Sequence, residues 1–106
     1  MNKILLALAL AVPVLFFAEL ANADIGVVIK EDVCGSGNAI IETNDGWYIA
    51  AEHYGGTYLY EGDTVVGNMK TYGFEDIIRT SDGNESRMYI EDYESSIGSA
   101  YEELCD

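Results

Sequence analysis

His53 is the only histidine of the 106-residue chain, and it stands between Glu52 and Tyr54. A hydrolytic relay needs a nucleophile, a base and an acid that orients the base. On a strand Glu52 points away from His53, so it cannot hold the ring, and His53 reads as a rim histidine. Carboxylates come in close pairs: Glu31-Asp32, Glu61/Asp63, Glu75-Asp76, Glu91-Asp92 and Glu102-Glu103. A glycosidase sets two carboxyls across a cleft at about 5 Å or at about 6.5–9.5 Å. Among 19 acidic residues some pair meets that spacing by chance, so the pairs read as a solvated acidic surface. Asp82-Gly83-Asn84-Glu85-Ser86 begins like a calcium loop, but Arg87 stands where an EF-hand needs Gly and Tyr93 where it needs the bidentate Glu. A looser cation site is left open, and a hairpin turn accounts for the same residues. Gly35-x-Gly37 leads into a strand and lacks the helix of a phosphate-binding loop. Asn84-Glu85-Ser86 matches a glycosylation sequon, which matters only in a eukaryotic secretory pathway. No catalytic set, metal site or cofactor motif assembles from these residues.

The tyrosines are more suggestive. Tyr54, Tyr58, Tyr60 and Tyr72 fall in or near a Gly-rich central segment, with Trp47 and Tyr48 just before it. A tyrosine offers flat apolar area with a hydroxyl at its tip, suited to a sugar or a protein contact. Tyr58 and Tyr60 would share one face of a strand, and Glu61 and Asp63 would set carboxylates at its border. These four residues are the expected partner-binding site. The competing reading places the rings in a Tyr-rich core with their hydroxyls at the surface.

Charge narrows the partner. The formal net charge is −14, with 19 acids against five Lys and Arg. That balance opposes nucleic acid, which is held through neutralised phosphates, and it opposes anionic membrane surfaces. Residues 1–23 read as a cleaved secretory signal: Lys3, the uncharged run Ile4–Ala18, then Ala21-Asn22-Ala23 as a small-x-small site. A bilayer span needs about 20 apolar residues, and Glu19 ends this run short of that. The mature chain, Asp24–Asp106, is expected in the periplasm or secreted, free of the membrane. In an oxidising compartment its two cysteines, Cys34 and Cys105, suggest one structural disulfide. Closing so long a loop is worth about 4 kcal/mol in the chain-entropy account.

The elements that must position these residues are mostly strands. β-prone runs cover Ile25–Lys30, Ala39–Thr43, Trp47–Ala51, Thr57–Tyr60, Thr64–Gly67, Tyr72–Arg79 and the alternating Arg87–Glu91. Asp45-Gly46 and Asp82-Gly83 are hairpin signals, and His53–Gly56 is expected to break a strand. From Tyr93 the period changes: Tyr93, Ile97, Ala100, Tyr101 and Leu104 form one helical stripe, capped by Asp92 or Ser95. The expectation is a single all-β domain over residues 24–106. It would be a small closed or partly open barrel of about six short strands with a C-terminal helix over 93–104, or alternatively a β-sandwich. The segment Glu61–Gly67 resembles the turn-into-strand pattern common in SH3-like and OB-like barrels. The function expected is non-catalytic: an acidic, disulfide-stapled binding module for a protein or glycan. The alternative is an inhibitor or immunity-type partner of a basic exported enzyme, since a strong opposite field speeds association. Intact mass of the exported protein should start at Asp24 and lie two hydrogens below the reduced value. Native free thiols would contradict the disulfide.

Overall fold

The computed structural model describes residues 23–106, so all of the expected signal but Ala23 lies outside the described residues. Six strands follow in order: β1 (Asp24–Lys30), β2 (Ala39–Thr43), β3 (Tyr48–Gly56), β4 (Thr64–Gly67), β5 (Gly73–Arg79) and β6 (Glu85–Glu94). A helix, α1 (Ile97–Cys105), ends the chain. The strands close into a barrel in the order β1-β2-β3-β6-β5-β4. Every pairing is antiparallel. Two three-stranded meanders are thus joined along β3·β6 and β1·β4, and the barrel, not the sandwich, is the architecture.

The hairpins form where Asx-Gly chemistry places them. Gly46 at φ 91 and Gly83 at φ 73 take the left-handed conformation that glycine adopts without a Cβ penalty. The Trp47 N–H donates to Thr43 Oγ1 at 3.0 Å, and the Gly83 N–H to the Arg79 carbonyl at 2.8 Å. Inward positions then alternate along the strands. Val28, Ile41, Ile49, Ala51, Val65, Ile77, Met88 and Ile90 are all buried in one interior cluster. The two β4 loops plug the barrel, one at each end. Leu59 enters from the segment before β4 and Met69 from the segment after it, and both are in the core.

Three expectations need correction. Thr57–Tyr60 is not a strand. Its alternation arises because Leu59 turns inward as a plug while Tyr58 and Tyr60 face solvent. His53–Gly56 does not break a strand, because β3 runs through it with a bulge between His53 and Gly55. Gly56, at φ 71, passes so close to β6 that a Cβ there would sit 2.4 Å from the Glu85 carbonyl oxygen. The helix starts at Ile97, not Tyr93, because β6 continues to Glu94 against Tyr48. Tyr93 packs on the barrel interior instead. Ser96 is the cap, with its Oγ accepting from the Ser99 N–H at 3.2 Å. Gly98 therefore falls in the first turn, where it costs least.

The rest of the helical stripe holds. Ile97, Ala100, Tyr101 and Leu104 pack with Val33, Ile40 and Ala50 in a second cluster on the outer face of β2 and β3. The Cys34–Cys105 disulfide joins the helix end to the loop after β1, across a sequence separation of 71.

Arg79 fastens the plugged end. Its guanidinium donates to the Tyr58 carbonyl (2.9 Å), Thr57 Oγ1 (3.1 Å), Asp63 Oδ2 (3.3 Å) and Asp82 Oδ2 (2.8 Å). Its side chain is only 13% exposed. Arg79→Met keeps the stem but strands both carboxylates. The melting temperature should therefore fall by several degrees, measured by circular dichroism. Arg79→Lys, lacking the planar fork, should restore only part of it.

Candidate functional site

The four residues expected to bind a partner lie around this Arg79 end, and two of the side chains, Tyr58 and Asp63, are engaged by their own chain. The Tyr58 ring stacks on His53 at 4.3 Å between centroids, and a Cβ on Gly37 would come within 2.7 Å of it. The Asp63 carboxylate accepts from the Tyr60 N–H at 2.8 Å and from Arg79. Glu61 is exposed, and its N–H donates to Glu31 Oε1 at 3.2 Å. Tyr60 is exposed as well. The structure thus gathers all four at one end of the barrel, with the Tyr58 and Tyr60 rings exposed and Asp63 tied into the loop. His53 is similarly held: its N–H donates to Asn38 Oδ1 and its Nε2 lies 3.2 Å from the Thr57 carbonyl.

A second aromatic group stands on the barrel wall formed by β3, β6 and β5. Phe74 of β5 is opposite Tyr89 of β6, which is opposite Glu52 of β3. Directly opposed residues share a face, so these three form one row on the outer surface. In the next row Asp76 opposes Arg87, which opposes Gly55. The bulge in β3 turns Tyr54 onto this same surface, re-aiming one side chain as bulges do. Tyr54 meets Phe74 edge-on at 5.0 Å and Tyr89 at 6.2 Å, and Phe74 meets Tyr89 edge-on at 5.0 Å. Tyr54 is 60% exposed and Phe74 47%. Arg87 lies over the Phe74 ring at 5.2 Å and is paired with Asp76 at 3.2 Å. A continuous exposed aromatic patch on a folded domain marks an interaction surface more often than chance. A third group, Trp47, Tyr93 and Tyr72, closes the far end of the barrel at centroid spacings of 5.6 Å.

Between the aromatic wall and α1 runs a strip of unneutralised acid. The bulge between Ala50 and Ala51 pairings leaves Glu91 unpaired and sets Asp92 opposite Ala50. The Glu91 carboxyl is pushed up to about 7. Its hydrogen bond to Glu52 is the largest cause, followed by burial and the charges of Glu52 and Glu103. Burial and then Asp92 raise Glu94 as well, and the charge of Asp92 raises the Tyr72 hydroxyl. Carboxylate oxygens of Asp92, Glu94 and Glu103 approach one another within 4.8 Å. Every ion-paired acid among the described residues is an aspartate: Asp24, Asp45, Asp63, Asp76 and Asp82. No glutamate there has a cation. In the calcium-like turn the Asp82 carboxylate accepts from Arg79 and from both the backbone and side-chain N–H groups of Asn84.

An open hollow between β1 and β2 is lined by Ile25, Gly26, Val27, Glu42, Thr43 and Asn44. The Thr43 hydroxyl donates to Asp45 Oδ1 at 2.6 Å. No protein-family model, curated protein or solved structure matches this chain.

Sequence reasoning singles out Tyr58 and Tyr60, and the structure adds a second exposed aromatic group, Tyr54 with Phe74 and Tyr89. The outward alternation of Arg87, Tyr89 and Glu91 against Met88 and Ile90 was legible. Phe74 and Glu52 join that surface only through cross-strand register, which one strand does not reveal.

The raised Glu91 carboxyl has a consequence for stability. A folded-state value above the unfolded one means the native chain binds more protons between about pH 4.5 and 7. Its contribution is complete below that window and is lost as pH rises through it. The lowered Asp45 and Asp82, held down chiefly by Lys70 and Arg79 respectively, titrate below the window. The melting temperature should thus drop by a few degrees between pH 5 and pH 8. Glu91→Gln should raise it at pH 8 and flatten that drop; an unchanged slope would remove Glu91 as the cause.

Proposed function

We propose that the mature chain is an exported, non-catalytic binding module, and that its contact surface is the aromatic wall of Tyr54, Phe74 and Tyr89. The observation that carries this is the wall itself: two rings about half exposed, adjoining a third, on a face that no element of the described chain covers. An interface of ordinary kind has an aromatic centre and a polar rim, and Glu52, Asp76 and Arg87 stand at this border. Export is supported by the secretory form of residues 1–23 and by the Cys34–Cys105 bond, since disulfides persist in oxidising compartments. Among the described residues no helix is long and apolar enough to cross a membrane. The absence of catalysis is proposed because His53, the one histidine, is tied to Asn38, Thr57 and Tyr58.

The second reading, an inhibitor or immunity-type partner of a basic exported enzyme, uses the same surface. The −14 charge favours it, because such a field steers an oppositely charged protein.

Capture from an envelope extract tests both readings when run with variants. Exposed aromatic anchors cost about 2 kcal/mol or more on truncation, so Phe74→Ala should weaken retention of the true partner about 30-fold. Its melting temperature should fall by several degrees, because the ring's contacts with Tyr54 and Tyr89 are lost. Tyr58→Ala should melt lower by a similar amount, having lost its His53 stack, while retaining the partner. A partner lost with Tyr58→Ala and Tyr60→Ala but kept by Phe74→Ala would return the site to the Arg79 end. A single basic enzyme, bound one to one and inactivated, would select the inhibitor reading.

A further inference from the structure

We infer that the partner of the aromatic wall is a protein surface presenting arginine side chains, which would stack on Tyr54 and Tyr89 while pairing with Glu52 and Glu91. This rests on the wall being the contact surface, and adds the chemistry of what it meets.

The protein's own Arg87 supplies the pattern. Its guanidinium lies 5.2 Å from the Phe74 centroid, and Asp76 in the same cross-strand row holds it at 3.2 Å. A guanidinium over a ring with a carboxylate at its side is a favourable arrangement, because the ring face and the anion both attract the cation. The next row repeats the acceptor half of that arrangement without the cation. Tyr89 stands directly opposite Glu52, and Tyr54 lies 6.2 Å from Tyr89 with Phe74 between them. Glu91 follows on the same strand as Tyr89, where the charges of Glu52 and of Glu103 in α1 both oppose its own. Neither Glu52 nor Glu91 has a cation among the described residues.

Charge complementarity chooses the occupant. Like charges brought together on one face disfavour each other unless a counter-charge arrives, and a guanidinium fork can meet two carboxylates at once. A neutral glycan would stack on the rings but leave that repulsion in place. A second copy of this chain would add another −14 to it. A nucleic acid or anionic lipid surface would bring phosphate against carboxylate. An arginine-bearing protein satisfies the rings and the acids together.

The test is an NMR titration of the mature, oxidised protein at pH 8, where the carboxylates are ionised. The probes are a short peptide alternating arginine and leucine, the same peptide with glutamate for arginine, and a neutral linear glucan oligosaccharide. The arginine peptide should shift amides of β3, β5 and β6 around Tyr54, Phe74 and Tyr89, and the other two should not. The double variant Glu52→Gln/Glu91→Gln should weaken the arginine peptide about tenfold at low salt and far less at high salt. Glu31→Gln/Glu42→Gln, equal in charge change but away from the wall, should weaken it less than about twofold. Equal weakening by both pairs would mean diffuse attraction to an acidic protein and would overturn the inference. Shifts at the wall with the glucan and none with the arginine peptide would overturn it too, yet leave the wall as the binding surface. Wall amides unmoved by every probe would count against both.

Discussion

β1 is paired along both edges, to β2 over Gly26–Lys30 and to β4 over Asp24–Val27, and the rest of the structure depends on that double pairing. It closes the barrel, so every strand acquires an inside and an outside, and no strand edge on β1 is left to pair with another chain. The interior is narrow enough to be filled by single branched side chains and two methionines. Its ends are then the weak points, because a short barrel has no further layer to cover them. The two β4 loops answer this by sending Leu59 and Met69 inward. Each loop is tied down by charge. Arg79 binds the first, and Asp24 accepts from the Met69 and Lys70 amides at 3.0 and 3.1 Å in the second.

That use of charge explains the surface. Four cations follow residue 23, and three are fixed at joints: Lys70 to Asp24 and Asp45, Arg79 to Asp63 and Asp82, Arg87 to Asp76. Only the exposed Lys30 remains outside an ion pair. The glutamates are consequently left to repel one another, most closely where the β6 bulge brings Glu91 and Asp92 beside Glu52, Glu94 and Glu103. A chain selected for stability alone would disperse them, since like charges within a few ångströms cost free energy that nothing else on that face recovers.

Local chemistry made much of the fold legible. Asp45-Gly46 and Asp82-Gly83 had to turn, β-branched runs had to pair, and two cysteines in so short a domain were expected to meet. The helical stripe from Ile97 to Leu104 was equally plain. What stayed hidden were features fixed by neighbours in space. Tyr93 fits the helical period, yet the β6 bulge returns it to the barrel interior. Thr57–Tyr60 alternates like a strand because Leu59 is a plug. Tyr58 and Tyr60 share exposure, but only the structure reveals that Tyr58 lies against His53 and Gly37. The wall residues are spread over Glu52, Tyr54, Phe74, Arg87 and Tyr89, and only the register of three strands unites them.

The aromatic wall has a bland explanation: its rings pack edge-to-face and steady the sheet, each pair adding about 0.5–1.5 kcal/mol. That accounts for the contacts but not for the placement. The same chain has a helix able to cover apolar sheet, and it lays that helix against β3 and β6 and over Ile40 and Ala50, leaving Tyr54 and Phe74 exposed. The disulfide from Cys105 to Cys34 fixes its end beside the loop after β1, so it cannot move across to β5. If aromatic burial were the purpose of Phe74 and Tyr54, the wall under the helix would be the place for them. They stand instead where the fold provides no cover, with Phe74 in the same cross-strand row as Glu52, a glutamate that has no cation. A surface left apolar and acidic together is stabilised most by a partner that is neither.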